Sequence, residues 1–277
     1  MRKTNLFRFL SAAAVTAAMS VLVVSCHKKT DDSLGSDDNG GYASDHVKME
    51  NISNGDLAIA DNAAATGSGA GLRTTSACAT VTRTVSGSDS VLTIDFGTTN
   101  CTCADGKNRR GKIIVTYSGH YKDEGSTHTI TYIDYYIQDN QLTGTKTVTN
   151  MGMNSSSQYY YNVTVDETLN LGTGNGEIHW VGNRTRTWLT GYSTPDKTDD
   201  SYLISGTTSL TRANGKTFTM TITSPLQVAW GCSWIEKGTV SIANTLGATR
   251  TLDYGDGNCD SQATLTIGTR TYNITLK

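Results

Sequence analysis

A succession of short runs in which apolar and polar residues alternate constrains the fold of this chain more than any other feature. The runs are 113–117, 129–137, 159–169, 177–189, 228–235, 263–267 and 271–276. A period of two places one face of each strand in a core, and short connections make consecutive strands antiparallel neighbours. The sequence therefore predicts an all-β antiparallel meander, arranged as a sandwich, a partly open barrel or a curved sheet.

A weaker internal repeat in the middle of the chain locates one of the turns. Residues 142–149 resemble residues 204–211, and a turn and another strand follow each copy. In the second copy the turn is Asn214-Gly215, and both residue types tolerate the positive φ angles of a type I′ turn. We therefore predict a tight hairpin at this dipeptide.

The composition agrees with many strands and excludes one class of partner. The chain contains 28 Gly and 13 Tyr but only 2 Pro, which is typical of strands joined by glycine turns. Only 17% of the residues are charged and the formal net charge is -2, so the chain shows no basic footprint for a nucleic acid. We expect no nucleic-acid partner.

The first 26 residues are similar to the signal of a bacterial lipoprotein. Arg2, Lys3 and Arg8 form a positive start, residues 10–24 are predominantly apolar, and Val-Val-Ser-Cys at 23–26 matches the lipobox. The apolar stretch is about one helical turn too short for a comfortable membrane span. The resemblance implies a signal peptide over residues 1–25, acyl chains on Cys26 and anchoring in the outer membrane.

The segment after Cys26 is predicted to be a flexible tether over residues 26–72, which precedes a single β-rich domain over residues 73–277. The acidic cluster at 31–38 resembles the surface-export signal of Bacteroidota lipoproteins, although any solubilising linker has a similar composition. Within the tether, the apolar spacing over residues 45–65 allows one short amphipathic helix, in which Gly55 costs about 1 kcal/mol relative to Ala.

Two cysteine-bounded segments repeat one another. Residues 94–101 (IDFGTTNC) match residues 252–259 (LDYGDGNC) at the apolar, Asp, aromatic, Gly and Asn-Cys positions. In each copy an upstream cysteine precedes a strand, a turn and a second strand, so folding the hairpin brings two cysteines together. Each bridge would stabilise the fold by about 3 kcal/mol on the chain-entropy model, in an oxidising compartment. The predicted disulfides are Cys78–Cys101 and Cys232–Cys259.

Cys103 is left over from these pairs, since Cys26 is assigned to the lipid. It either competes with Cys101 for Cys78 or remains a free thiol. Cys101-Thr102-Cys103 could alternatively form half of a metal site, but no Cys-x-x-Cys or histidine cluster accompanies it. We expect no metal and no cofactor.

Acidic and histidine side chains give weak signals for chemistry. The histidines His27, His46, His120, His128 and His179 fall at no metal-ligand spacing, so we expect them to be scattered and solvated. The oxygen-rich loop at 253–260 superficially suggests calcium, but the matching loop has Thr98 and Thr99, which favours an ordinary turn. Asp95 and Asp253 are interpreted as turn or bulge residues rather than paired catalytic carboxylates.

Aromatic side chains are the remaining candidates for ligand binding. They include Tyr132, Tyr135, Tyr136, Tyr159, Tyr160, Tyr161, Trp180, Trp188, Trp230 and Trp234. Rings that a sheet exposes can stack on the faces of sugars, whereas cross-strand packing would bury them. From this set we select Tyr135, Tyr160, Trp180 and Trp188 as candidate ligand-binding residues.

The functional expectation follows from the lipid anchor and from the motifs that the chain lacks. The sequence contains no Gly-x-Ser-x-Gly, Ser-x-x-Lys, His-Glu-x-x-His or Walker-type motif. We expect a non-enzymatic binding or structural module on the outer membrane, exposed at the surface, whose partner is a glycan or an envelope protein. The alternatives are a periplasm-facing factor that handles lipids or unfolded proteins, and a hydrolase whose site is assembled across strands.

Overall fold

The structure is a computed structural model, and it describes residues 41–66, 78–86, 89–174, 176–244 and 249–276. The predicted signal peptide, the lipidation site Cys26, His27 and the parts 26–40 and 67–72 of the tether lie outside these ranges. Within them, no helix combines the length and the apolar character that a membrane span requires.

The described chain is one helix followed by strands, with two short 3₁₀ turns at Gly172–Gly174 and Lys197–Asp199. The elements are α1 (Gly41–Thr66), β1 (Thr80–Ser86), β2 (Asp89–Asp95), β3 (Cys101–Thr102), β4 (Asn108–Tyr117), β5 (Thr127–Ile137), β6 (Asn140–Met153), β7 (Tyr159–Asn170), β8 (Glu177–Thr190), β9 (Ser201–Arg212), β10 (Thr217–Ala229), β11 (Lys237–Ala243), β12 (Arg250–Asp256), β13 (Gln262–Ile267) and β14 (Arg270–Thr275).

The strands form a single open sheet of 14 strands in sequence order, with the short β3 pairing only to β4. Every pairing is antiparallel, as the short connections require. The predicted antiparallel meander is therefore confirmed, and the curved sheet is the arrangement adopted. Alternation is visible along β7, where Tyr161, Val163 and Val165 are buried and the residues between them are exposed.

Two local predictions are wrong. The run 228–235 is not a separate strand, because β10 continues to Ala229 and the chain then turns through a loop in which Gly231 has φ +85°. The hairpin at Asn214-Gly215 exists, but only Gly215 has a positive φ, and its amide donates to the carbonyl of Arg212. This geometry is a type I turn followed by a left-handed residue, which is the common three-residue hairpin rather than a type I′ turn.

The helix α1 lies in the core of the fold, on the concave side of the sheet. It spans 26 residues and begins before the predicted segment 45–65, at Gly41. The carboxylate of Glu50 interacts with charged or polar groups of β6, β8 and β12, through Lys146, Arg184 and Tyr254. Six strand steps would spread these strands over roughly 29 Å in a flat sheet, so the sheet curves around the helix.

Both ion pairs and apolar packing connect α1 to the sheet. Pairs link Asp45 to Arg212 at 2.6 Å, Asp61 to Arg186 at 2.8 Å, and Glu50 to Arg184. The Nζ atom of Lys146 on β6 donates to the carbonyl of Ser53 at 3.2 Å. Tyr42, Val47, Met49, Ile52, Leu57, Ile59, Ala60 and Ala63 supply the apolar contacts. The sequence places this segment in the tether, but in the structure it is a buried helix. Several of its buried residues are charged.

The duplicated cystine hairpin is confirmed. Disulfides join Cys78 to Cys101 and Cys232 to Cys259, with Cα atoms 5.6 Å and 5.7 Å apart. The first bridge encloses the β1–β2 hairpin and the second encloses β11–β12. The two copies therefore share strand order, connectivity and covalent closure.

The repeat extends to individual hydrogen bonds. The Oδ1 atom of Asp95 accepts from the amide of Gly97 at 2.8 Å, and that of Asp253 accepts from Gly255 at 2.9 Å. Both glycines have positive φ angles, 81° and 96°, which a left-handed turn favours in glycine. The two aspartates are turn residues, as predicted.

Candidate functional site

A pocket with a volume of ≈ 490 Å³ opens where one edge of α1 meets two loops of the sheet. Its lining includes helix residues from 51–62, residues 103–109 around the β3–β4 turn, and residues 228–235 at the end of β10. The volume lies within the range of roughly 300–1,000 Å³ that small-molecule sites occupy. This pocket is the candidate functional site.

The two copies of the cystine hairpin border the same pocket. The disulfide-bonded Cys101 is the first residue of β3, and the loop after β3 contributes Cys103, while Cys232 itself lies in the loop on the other side. A covalent bridge removes conformational freedom from the residues next to it. Both rims are therefore held in place before any ligand arrives.

Trp230 and Trp234 form the aromatic part of the lining. They flank Cys232, and both indoles are half-buried. The amide of Trp230 donates to the carbonyl of Asp200 at 2.8 Å, which ties the loop to the start of β9. Among the described residues, neither indole stacks on another ring or on a cation. The rings are thus positioned in the pocket without an aromatic partner of their own.

The helix contributes amides to the opposite side. Asn51 and Asn54 lie on the narrow stripe of α1 that the sheet leaves half-exposed, and both line the pocket. Within the described chain, neither side chain makes a hydrogen bond to another protein group. An amide offers both donors and an acceptor, so this stripe can satisfy hydroxyl groups of a bound ligand.

Two guanidinium groups at the floor of the pocket are already neutralised. Arg109 donates two hydrogen bonds of 2.7 Å to the carboxylate of Asp105 and a third, of 3.1 Å, to the hydroxyl of Tyr135. Arg186 donates to Asp61 at 2.8 Å. The bidentate pair of Arg109 with Asp105 has a fixed geometry. These groups shape the pocket rather than offering free charge.

The carboxylates of Asp105 and Asp200 line the pocket with pKa values shifted in opposite directions. Burial alone would raise the pKa of Asp105, but the hydrogen bonds and charge of Arg109 bring it below its usual value. Burial raises the pKa of Asp200, against the hydrogen bond that Tyr202 donates at 3.2 Å. Opposite shifts in one cavity are a pattern found in acid–base sites.

The aromatic residues selected from the sequence do not form the site. Tyr135, Trp180 and Trp188 are buried in the core, with exposed fractions of 0%, 1% and 7%, and Tyr160 is half-buried on β7. Arg184 lies over the ring of Trp180 at 5.6 Å, so that ring already has a cation partner. The hydroxyl of Tyr135 donates to Asp56 of α1, and Trp188 packs edge-on against Tyr192 and Tyr202, so these inward side chains are covered by the protein itself.

The other predicted candidates divide between turns and core. His46 and His128 are buried, at 0% and 4% exposure, which corrects the expectation of solvated histidines, whereas His120 and His179 are exposed or half-exposed. In the loop 253–260, aspartate oxygens accept hydrogen bonds from Gly255, Asn258 and Gln262, as in ordinary turns. Cys103 is a buried free cysteine.

A cluster of potential metal ligands is present but chemically unsuited to a metal. In the described part of the chain, Cys232, Glu236 and Cys259 form the one group of three such residues, with ligand atoms within 4.8 Å. The two sulfur atoms are joined as a disulfide, so they offer no thiolates. The cluster is therefore the Cys232–Cys259 disulfide with a nearby glutamate.

Trp230 and Trp234 are among the aromatic residues noted in the sequence, but they are not among the four selected as candidate ligand-binding residues. The available signal was their position on either side of Cys232, since a disulfide next to two indoles fixes both of them. Asn51, Asn54 and Lys107 carried no such signal, because only the tertiary structure brings the helix to the β3–β4 turn.

Comparison with known proteins gives no similarity to build on. No family model, no curated protein and no solved structure matches the chain.

Proposed function

We propose that this protein is a lipid-anchored module of the outer membrane that binds a glycan in the pocket between α1 and the Trp230–Trp234 loop. One observation supports the proposal: the indoles of Trp230 and Trp234 line the same cavity of ≈ 490 Å³ as the side-chain amides of Asn51 and Asn54, which have no hydrogen-bond partner in the described chain. Indole faces pack against the C–H faces of sugar rings, and amides match their hydroxyl groups. Lipidation of Cys26 would hold the module at the envelope.

The binding test uses the domain over residues 41–277 and polysaccharide fractions from the cell envelope and from outside the cell. We expect retention of the domain by at least one glycan fraction, and a loss of retention of at least tenfold in Trp230→Ala. Trp180→Phe serves as a control, because Trp180 is buried away from the pocket. Retention that survives both Trp230→Ala and Trp234→Ala would reject this pocket as the glycan site.

The anchoring test uses the full chain in cells. We expect the protein to fractionate with the outer membrane, and Cys26→Ser to release it into the soluble fraction. Protease added to intact cells should remove an epitope placed after Lys277 if the module faces outward. Protection that ends only on lysis would instead place the module on the periplasmic side.

A second candidate function, glycoside hydrolysis, is favoured by the opposite pKa shifts of Asp105 and Asp200. Both oxygens of Asp105 accept from Arg109, and its Oδ1 also accepts from the amide of Lys107, so this carboxylate is already held in an ion pair. Binding is therefore the better supported function. Release of reducing ends from a retained glycan, abolished by Asp200→Asn, would establish hydrolysis instead.

A concave sheet that carries lipids or unfolded chains has less support. The concave side is occupied by α1, and that interface contains the charged groups Glu50, Lys146, Glu167 and Arg184. An acyl chain in place of α1 would leave Arg184 buried without the carboxylate of Glu50, which is costly.

A further inference from the structure

Two lysines line the pocket without a carboxylate partner. The guanidinium groups of Arg109 and Arg186 are each paired with an aspartate. Lys107 and Lys197 also line the pocket, yet within the described chain neither ammonium lies within ion-pair distance of a carboxylate or makes a hydrogen bond. The two ammonium groups therefore lack a direct ion-pair partner, although Asp105 and Asp56 act on Lys107, and Asp200 on Lys197, at longer range.

Lys107 is the better placed of the two. It follows the β3–β4 turn, where its carbonyl accepts from the amide of Cys103 at 2.8 Å, so its backbone is fixed next to the first disulfide. Its side chain is half-buried, and burial lowers its pKa despite the favourable charges of Asp105 and Asp56. A desolvated ammonium without a partner costs free energy that an incoming anion would recover.

The ligand that matches the indoles, the amides and the unpaired ammonium of Lys107 carries both sugar faces and a negative charge. The indoles of Trp230 and Trp234 can pack against the C–H faces of a sugar ring. The amides of Asn51 and Asn54 can hydrogen-bond its hydroxyl groups, and the ammonium of Lys107 can pair with an anionic oxygen. A sugar whose exocyclic carbon is oxidised to a carboxylate combines these three within one ring.

We propose that the pocket is selective for acidic saccharides and pairs the carboxylate of a uronic acid residue with the ammonium of Lys107, with Lys197 as a second cation at the edge of the pocket. This inference rests on the proposed glycan-binding function and specifies its ligand class. The two can fail separately, because glycan binding does not require charge selectivity.

The experiment compares each acidic oligosaccharide with its own carboxyl-reduced form. The probes are oligomers of galacturonate, of mannuronate and guluronate, and of a glucuronate-containing polymer, each measured by calorimetry before and after reduction of the carboxylates to alcohols. We expect at least one acidic oligomer to bind at least tenfold more tightly than its reduced form. Raising the salt concentration should narrow that difference, since ionic attraction is screened.

Variants separate charge selectivity from sugar binding. Lys107→Met keeps most of the aliphatic stem and removes the charge, so it should abolish the preference by weakening the binding of the acidic form far more than that of the reduced form. Lys197→Met should reduce the preference by a smaller factor. Lys237→Met is the control, because Lys237 is exposed on β11 outside the pocket and should change neither affinity.

Each outcome decides one of the two proposals. Equal affinities for acidic and reduced oligomers, or an equal loss of both in Lys107→Met with the fold intact by circular dichroism, would overturn the acidic selectivity and leave glycan binding standing. No binding by any oligomer, acidic or reduced, together with no retention on the polysaccharide fractions, would overturn both.

Discussion

At the scale of single residues, His128 shows how burial controls an ionisation. Its ring packs edge-on against Tyr117, with centroids 4.3 Å apart, and its Nε2 atom has no hydrogen-bond partner among the described residues. Burial lowers the pKa of His128 to about 4 from the usual 6.5, and the charge of Asp61 opposes the shift only in part. Near neutral pH the folded chain therefore contains the neutral ring.

His128 makes the stability depend on pH in a predictable direction. Above pH 6.5 the ring is neutral in both states, but as the pH falls towards 4 only the unfolded chain takes up the proton. The free energy of unfolding should then decrease by about 3 kcal/mol from this residue. We expect His128→Phe, which keeps a ring in the same place, to lose this decrease when both proteins are unfolded in denaturant between pH 7 and 4.

The comparison with His128→Phe is needed because other groups act in the opposite sense. Burial raises the pKa values of Asp45, Glu50 and Asp56, so these carboxylates favour the folded state as the pH falls. They are present in both proteins and cancel in the difference. Parallel pH profiles for parent and variant would contradict the prediction.

At the scale of elements, the attachment of α1 depends on buried ion pairs. Glu50 and Arg184 are 2% and 4% exposed, so removing one partner leaves the other charge buried. We expect Glu50→Ala to lower the free energy of unfolding by about 3–5 kcal/mol. The exposed pair of Asp166 and His179 is the control, and Asp166→Ala should cost less than about 1 kcal/mol in the same denaturation experiment.

A double variant distinguishes charge from packing at this position. Glu50→Leu with Arg184→Met removes both charges and keeps apolar volume, so it should be more stable than Glu50→Ala. If the double variant is as unstable as Glu50→Ala, the helix is held at this point by shape rather than by the pairing of charges.

The pairing of β4 with β5 depends on a glycine at a bulge. The register shifts between Arg110 and Lys112, and a Cβ atom at Gly111 would lie 1.9 Å from the carbonyl oxygen of Asp134. Gly125 has a similar φ, 81° against 83°, but open space around the Cβ position. We expect Gly111→Ala to cost about 1–3 kcal/mol more than Gly125→Ala in thermal unfolding, because only the former forces the strands apart.

At the scale of the whole molecule, two disulfides cross-link hairpins of the open sheet and border the candidate site. The disulfides span 23 and 27 residues of sequence, so each should contribute about 3 kcal/mol by restricting the unfolded chain. We expect Cys232→Ser with Cys259→Ser to lower the free energy of unfolding by that amount and to weaken glycan binding. Unfolding curves and the retention assay on one preparation measure both effects.

Removal of the other disulfide, Cys78–Cys101, provides the comparison for these effects on stability and binding. Cys78→Ser with Cys101→Ser should lose similar stability, but Trp230 and Trp234 lie next to Cys232 and keep their positions. Its effect on retention should therefore be smaller. Equal effects of the two double variants on binding would show that the indoles do not depend on their neighbouring bridge.

The fold class could be predicted from the sequence because its causes are local. Alternation with a period of two, glycine turns and the repeated motif ending at Cys101 and Cys259 act over a few residues, and strand order and both disulfides followed from them. The turn type at Asn214-Gly215 and the end of β10 were missed because the backbone at these points depends on the pairing of neighbouring strands.

The tertiary structure alone decided where α1 lies and which side chains form the site. The helix carries Asp45, Glu50, Asp56 and Asp61, so its sequence is typical of a solvated segment, and only the matching cations of distant strands make its burial favourable. The inward aromatics Tyr135, Trp180 and Trp188 are core residues because tertiary contacts cover them, as the hydrogen bond from Tyr135 to Asp56 of α1 illustrates. The pocket brings together Asn51, Lys107 and Trp230, which lie far apart in the sequence. Local sequence patterns do not predict that these three segments are close in space.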